Sequence, residues 1–171
     1  MRSRALRPIL AALALLVPVA QADVPRSFVA RIGGTVFESG DAEIVPVPAG
    51  GGAFPLGAST KGASDWQPPK TRVDRLAIAC DGFEDGNALR LGAADFARST
   101  CSVTPRKGAR PMGGEPDEAR ELDKESGENR FEIVRADGKA YEGRFAFVPK
   151  GPQGRTLKVD GGTFLAEDRQ L

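Results

Sequence analysis

The chain has no histidine anywhere in its 171 residues. That absence removes Ser-His-Asp and Cys-His catalysis, histidine-containing zinc sites and the side chain most used for proton transfer near neutral pH. No serine has a lysine three positions later, which takes away the Ser-x-x-Lys nucleophile of penicillin-binding enzymes. Net charge is nearly missing as well, with 24 Lys+Arg against 23 Asp+Glu. Arg2, Arg4 and Arg7 belong to the extreme N-terminus, so the rest of the chain is slightly acidic and offers no basic field to a nucleic acid. No nucleic-acid partner is expected.

Long apolar runs are scarce too. The stretch from Ile9 to Ala20 is interrupted by Pro18 and falls short of the roughly 20 residues that a membrane-spanning helix needs. It follows the three arginines and ends in the small residues of Ala20-Gln21-Ala22. A basic start, a short apolar middle and a small-residue end read as a secretory signal peptide over residues 1–22, cleaved to leave a chain that begins near Asp23. No cysteine directly follows that point, so no lipid anchor is expected, and no second run is long enough for a membrane span. The expected address is periplasmic or secreted.

Cysteine is limited to Cys80 and Cys101. In an oxidising compartment such a pair persists as a disulfide, and closing a loop of roughly 20 residues stabilises a fold by about 3 kcal/mol in the chain-entropy model. Aromatic side chains are few: 9 Phe, 1 Tyr and 1 Trp.

What is present is a succession of short alternating strands separated by turn residues. Phe28, Ala30 and Ile32 alternate, and Gly33-Gly34 then interrupts before Thr35-Val36-Phe37, giving one bulged strand or two strands joined by a tight bend. Glu43 to Val47 carries Pro46, which assigns it to a sheet edge. Val73 to Cys80 alternates Leu76, Ile78 and Cys80 with Ala77 and Ala79, a pattern that predicts cover on both faces. Ala88 to Leu91 and Cys101 to Thr104 follow as strands, with one helical turn between them at 93–98. Arg130–Ala136, Asp137-Gly138 and Lys139–Val148 form the clearest hairpin signal. A further Asp160-Gly161-Gly162 turn would separate Thr156–Val159 from Thr163–Ala166. The phrases Ile32-Gly-Gly-Thr-Val-Phe37 and Val159-Asp-Gly-Gly-Thr-Phe164 look alike and raise the idea of a duplicated half.

These signals predict a single exported domain over residues 23–171, all-β, built as an antiparallel β-sandwich of about eight or nine short strands, with a small closed β-barrel as the alternative. Two segments exceed what such a domain needs. Residues 49–70, rich in Gly, Pro and Ser, read as a long loop in which Phe54 and Trp66 serve as an aromatic anchor for a partner or fold back as a lid on the sandwich end. Residues 106–129 read as a charged insertion with a helix at 116–125. It starts basic at Arg106, Lys107 and Arg110, then carries Glu115, Asp117, Glu118, Glu121, Asp123 and Glu125 as candidate partner contacts. The basic residues between Lys139 and Lys158 would contact the acidic insertion of the same molecule, the simpler account, or anionic cell-envelope polymers.

Asp81, Glu84, Asp85 and Asn87 are four oxygen-bearing side chains after a strand, a weak calcium candidate, but they do not follow the order of an EF-hand loop. Gly52 and Gly57 have the spacing of a phosphate loop, yet Ala58 and Ser59 stand where Lys and Ser/Thr belong. No cofactor and no catalytic residue are assigned. The leading functional expectation is a soluble, non-enzymatic exported sandwich that binds a cell-envelope protein, as an inhibitor or an accessory subunit. The alternatives are a barrel-type carrier of a small ligand, with Phe131, Tyr141, Phe145 and Phe147 lining a hollow interior, and a carboxylate-based envelope hydrolase.

Overall fold

The computed structural model describes residues 27–39, 45–46, 52–60, 73–84, 87–109, 115–137 and 140–167. The expected leader at 1–22, Trp66, Asp85 and the Gly138-Lys139 turn lie outside them. The elements, in chain order, are β1 (Ser27–Ile32), β2 (Thr35–Ser39), β3 (Val45–Pro46), β4 (Ala53–Ser59), β5 (Val73–Asp81), β6 (Leu89–Leu91), α1 (Ala93–Phe96) and β7 (Ser102–Ala109). They continue with β8 (Glu118–Ala119), β9 (Glu121–Leu122), β10 (Arg130–Ala136), β11 (Ala140–Phe147), β12 (Pro149–Lys150) and β13 (Val159–Glu167).

Every strand pairing is antiparallel, and the sheets do not close on themselves. A six-stranded sheet has the order β2-β1-β13-β11-β10-β6, a five-stranded sheet the order β3-β4-β5-β7-β8, and β12-β9 forms a two-stranded ribbon. The architecture is a sandwich and not a barrel. Alternation explains the layers: Phe28 and Ala30 of β1, Leu76, Ile78 and Cys80 of β5, and Tyr141, Phe145 and Phe147 of β11 all turn inward and are buried.

All nine phenylalanines and the single tyrosine are buried. Each such ring contributes about 1.5–3 kcal/mol relative to exposure, so the small aromatic content is spent on the core. Phe54 of β4 is the ring that joins the layers. Its centroid lies 5.3 Å from Tyr141, 5.9 Å from Phe164 and 6.1 Å from Phe131, all three from the opposite sheet. Phe131, Tyr141, Phe145 and Phe147 belong to this filled interior, which counts against the hollow carrier reading. The rings pack on one another, as in the stacked pair Phe131–Phe164 at 6.0 Å, where a carrier would leave space for a ligand.

The long loop expected at 49–70 is corrected at its centre. β4 runs from Ala53 to Ser59, with Phe54, Leu56 and Ala58 buried in alternation. Pro55 and Gly57 disguise that alternation in the sequence. On its far side, among the described residues, β4 meets β3 only at Leu56 and Gly57, the near-edge setting in which proline is tolerated.

The Asp160-Gly161-Gly162 turn is also corrected, because β13 passes straight through it. On the β1 side the register jumps from Val29↔Thr163 to Arg31↔Asp160, and on the β11 side from Phe145↔Gly162 to Phe147↔Val159. The extra residue is a bulge, and Gly161 takes the left-handed conformation it requires (φ 59°). The similar phrase at 32–37 does something different: Gly33 and Gly34 (φ 57° and 82°) make the two-residue turn between β1 and β2. The two phrases are neighbours in one sheet, paired at Ile32↔Val159, and share no common geometry.

Two further expectations change. The helix at 116–125 does not form, because Leu122 is the sole large apolar side chain between Glu115 and Glu128 and no helical face could be buried. Instead β7 continues to Ala109, and the returning chain lies along it through Asp117 N–H to the Lys107 carbonyl (3.0 Å) and Arg120 N–H to the Pro105 carbonyl (3.3 Å). The double cover foreseen for β5 fails at Ala77, which is exposed. The helical turn foreseen at 93–98 is present as α1, where Gly92 N–H donates to Asp95 Oδ2 (2.9 Å) and Phe96 inserts against Phe147.

Candidate functional site

Cys80 and Cys101 form a disulfide with their Cα atoms 4.0 Å apart. The β5–β7 register, Ala79↔Ser102, makes them the next cross-strand pair. The bridge therefore fastens neighbouring strands of one sheet from the core side, at the end of the sandwich where Phe83 and Tyr141 also pack.

The remaining sequence candidates are dispersed. Phe54 is fully buried and is core, not a surface anchor. Asp81, Glu84 and Asn87 are exposed, and Asn87 Nδ2 donates to Glu84 Oε2 (3.2 Å). Among the described residues no group of three or more acidic, Cys or His side chains is placed to hold a metal ion. Glu118 pairs with Arg120, Glu121 stands opposite Lys150 in the β9–β12 ribbon, and Asp123 Oδ1 accepts from Glu125 N–H within a turn (3.3 Å). Glu115 and Glu121 share a shallow polar hollow with Arg106 and Lys150. Glu128 and Lys158 bridge at 2.6 Å; Lys158 holds the Glu128 carboxyl below its ordinary range, chiefly by hydrogen bonding. The pairing of the insertion with the last basic segment is thus partly internal, as the charge pattern suggested.

The opposite end of the sandwich holds a cleft of about 290 Å³. One wall is apolar: Ile32, Val36 and Phe37 from the β1–β2 hairpin, with Leu157 beside them. Gly33 is needed there because its φ of 57° is one that L side chains rarely adopt; a Cβ would also come 2.8 Å from the end of the Leu157 side chain. The other wall is cationic, built by Arg75 of β5, Arg106 and Lys107 of β7, and Arg120. Asp74 and Glu118 are the acids of the cleft, and both are occupied. Asp74 Oδ1 accepts from Gly108 N–H (3.0 Å), and Glu118 pairs with Arg120.

A second bulge creates this cationic wall. The register steps from Val73↔Ala109 to Arg75↔Arg106, so Lys107 and Gly108 lie opposite Asp74, and Gly108 adopts φ 65°. Successive strand residues ordinarily face opposite sides, whereas a bulge re-aims them, and Arg106 and Lys107 both reach the cleft. Arg120 is wedged behind: its side chain is 10% exposed, its Nη1 donates to the Arg155 carbonyl (2.6 Å), and its Nε has no partner. Arg75 Nε is likewise buried without a partner.

Sequence reading marked Arg106 and Lys107 only as the start of a basic-to-acidic insertion, and passed over Arg75. The signal was the polar position of Arg75 within an otherwise apolar strand, but its neighbour across the sheet depends on a register that no motif announces. Comparison with family models, with curated proteins and with solved structures finds no match to this chain, so the reading of the cleft rests on its own residues.

Proposed function

We propose that the chain is an exported, non-enzymatic β-sandwich protein that binds a partner protein in the cell envelope, as an inhibitor or accessory subunit. Export is supported by the basic, apolar and small-residue order of residues 1–22 and by a disulfide that suits an oxidising compartment. The observation that carries the binding role is the cleft between the β1–β2 hairpin and the ends of β5 and β7, where one wall is apolar and the other cationic. Among the described residues no helix is long and apolar enough to cross a membrane. A chain without histidine lacks the usual proton-transfer group for chemistry in that cleft.

The test has two steps. Mass analysis of the protein recovered from an exporting host should show an N-terminus at Asp23. The oxidised protein, immobilised and offered an envelope extract of its native host, should retain one protein in stoichiometric amount, and that protein, purified, should rebind. An uncleaved cytoplasmic product, or no rebinding species, overturns the proposal.

A further inference from the structure

Arg75 and Arg106 are direct cross-strand partners on β5 and β7. Like charges in that position destabilise a sheet, and the row they belong to, Ser59–Arg75–Arg106–Ala119, contains no acid. Among the described residues neither arginine forms an ion pair, nor does Lys107 beside them. The cleft's own carboxylates are Asp74, which accepts from the Gly108 amide and keeps its charge, and Glu118, which pairs with Arg120; Glu115 and Glu121 share a neighbouring hollow with Arg106. Arg75, Arg106, Lys107 and Arg120 thus outnumber Asp74 and Glu118 on the cleft lining, four cations to two carboxylates, and Arg75 Nε is buried without a partner.

From this we infer that the cleft is a receptor for an acidic peptide segment of the partner, in extended form, with carboxylate and aliphatic side chains in alternation. The inference rests on the partner-binding reading above and names the chemistry of the contact. Carboxylate is the matching anion because a guanidinium offers a planar fork of donors that a carboxylate fills two at a time. The extended form follows from the walls. In a strand, successive side chains point to opposite sides, so alternate carboxylates face Arg75, Arg106 and Lys107 while the aliphatic residues between them face Ile32, Val36 and Leu157. Among the described residues the neighbouring β2 is the outermost strand of its sheet, and an incoming strand can add to such an edge through main-chain hydrogen bonds. At about 290 Å³ the cleft is at the small end of ligand pockets, roughly 300–1,000 Å³, and takes a short segment instead of a folded surface.

The experiment uses the full exported, oxidised protein and a fluorescent peptide, Glu-Val-Glu-Val-Glu-Val, titrated at low and high salt. Its counterpart carries Lys in place of each Glu, and phosphatidylglycerol vesicles serve as a competing polyanion. Saturable binding of the Glu peptide that weakens at least tenfold in Arg106→Gln and in Arg75→Gln, and falls with salt, supports the inference. Equal binding of the Lys peptide, no binding of the Glu peptide, unchanged affinity in Arg106→Gln, or displacement by the vesicles overturns it. Arg106 is exposed, so Arg106→Gln decides the matter if Arg75→Gln does not fold. If the purified envelope partner binds Arg106→Gln as well as it binds the parent protein, the cleft inference fails and the partner-binding reading stands.

Discussion

The ring of Phe164 lies directly on Gly143, its cross-strand partner in the β11–β13 pair. Two residues further along, the arrangement is reversed: Phe145 lies on Gly162. A Cβ at either glycine would run into the ring that covers it, and at Gly143 into the Glu132 carbonyl as well. These glycines are not turn residues; they clear the sheet surface so that two large rings can lie flat in the core.

Gly143→Ala should destabilise the protein by about 3 kcal/mol, the upper part of the range for overpacking a filled core. Chemical denaturation of the variant against the parent protein measures it. An effect within about 0.5 kcal/mol, ordinary for a surface site, would mean that the rings move aside at no cost.

The disulfide should matter through the unfolded chain. Reducing the bridge, or replacing Cys80 and Cys101 together by serine, opens a loop of 21 residues in sequence and should remove about 3 kcal/mol of stability. Thermal melts with and without reductant test this, and coincident curves would contradict it.

Asn129 is buried and ties two backbone segments together. Its Nδ2 donates to the Asp123 carbonyl (2.6 Å) and its Oδ1 accepts from Val148 N–H (3.0 Å). Asn129→Ala leaves both backbone groups without that partner and should cost about 2 kcal/mol, with accelerated amide exchange at Val148. Unchanged protection there would show that water replaces the side chain.

Acid should weaken the outer face of the larger sheet. Glu132 is flanked by Arg90 on β6 and Arg144 on β11, each its cross-strand partner. The hydrogen bond from Arg144 is the main reason its carboxyl titrates below the usual range, with desolvation opposing and Arg90 assisting. Since the folded value is depressed, the stabilisation is complete above the unfolded carboxyl value of about 4.3. It is lost as pH falls through the folded value. Glu132→Gln should lower the urea midpoint at pH 7 and converge with the parent protein in acid; parallel curves across that range would assign the pair no role in acid sensitivity.

Where strand alternation reached the surface of the sequence, it could be read. The β10–β11 hairpin, β5 with its cysteine, and the edge position of Pro46 all follow from period-two burial and turn chemistry. What escaped was controlled by register. Gly161-Gly162 has the composition of a turn, and only its two neighbours in the sheet make it a bulge. In β4, Pro55 and Gly57 hide an alternation that the burial of Phe54, Leu56 and Ala58 makes plain. The cleft has the same origin: Arg75 and Arg106 are thirty-odd residues apart in the chain, and they meet because of a β5–β7 pairing and a bulge at Gly108 that local sequence does not encode.

Because β1 pairs antiparallel with β13, Ser27 stands beside Leu165, while the β1–β2 turn and Leu157 line the cleft at the other extremity of the same strands. The first and last described strands thus leave the sandwich side by side, facing away from the cleft by the length of β1, about 3.3 Å for each residue. A tether, label or fused domain joined at Ser27 or at Glu167 would hold the sandwich by its back and present the cleft outward. The same proximity makes the chain a natural subject for circular permutation, with a short link closing Ser27 to Leu165 and new ends opened elsewhere.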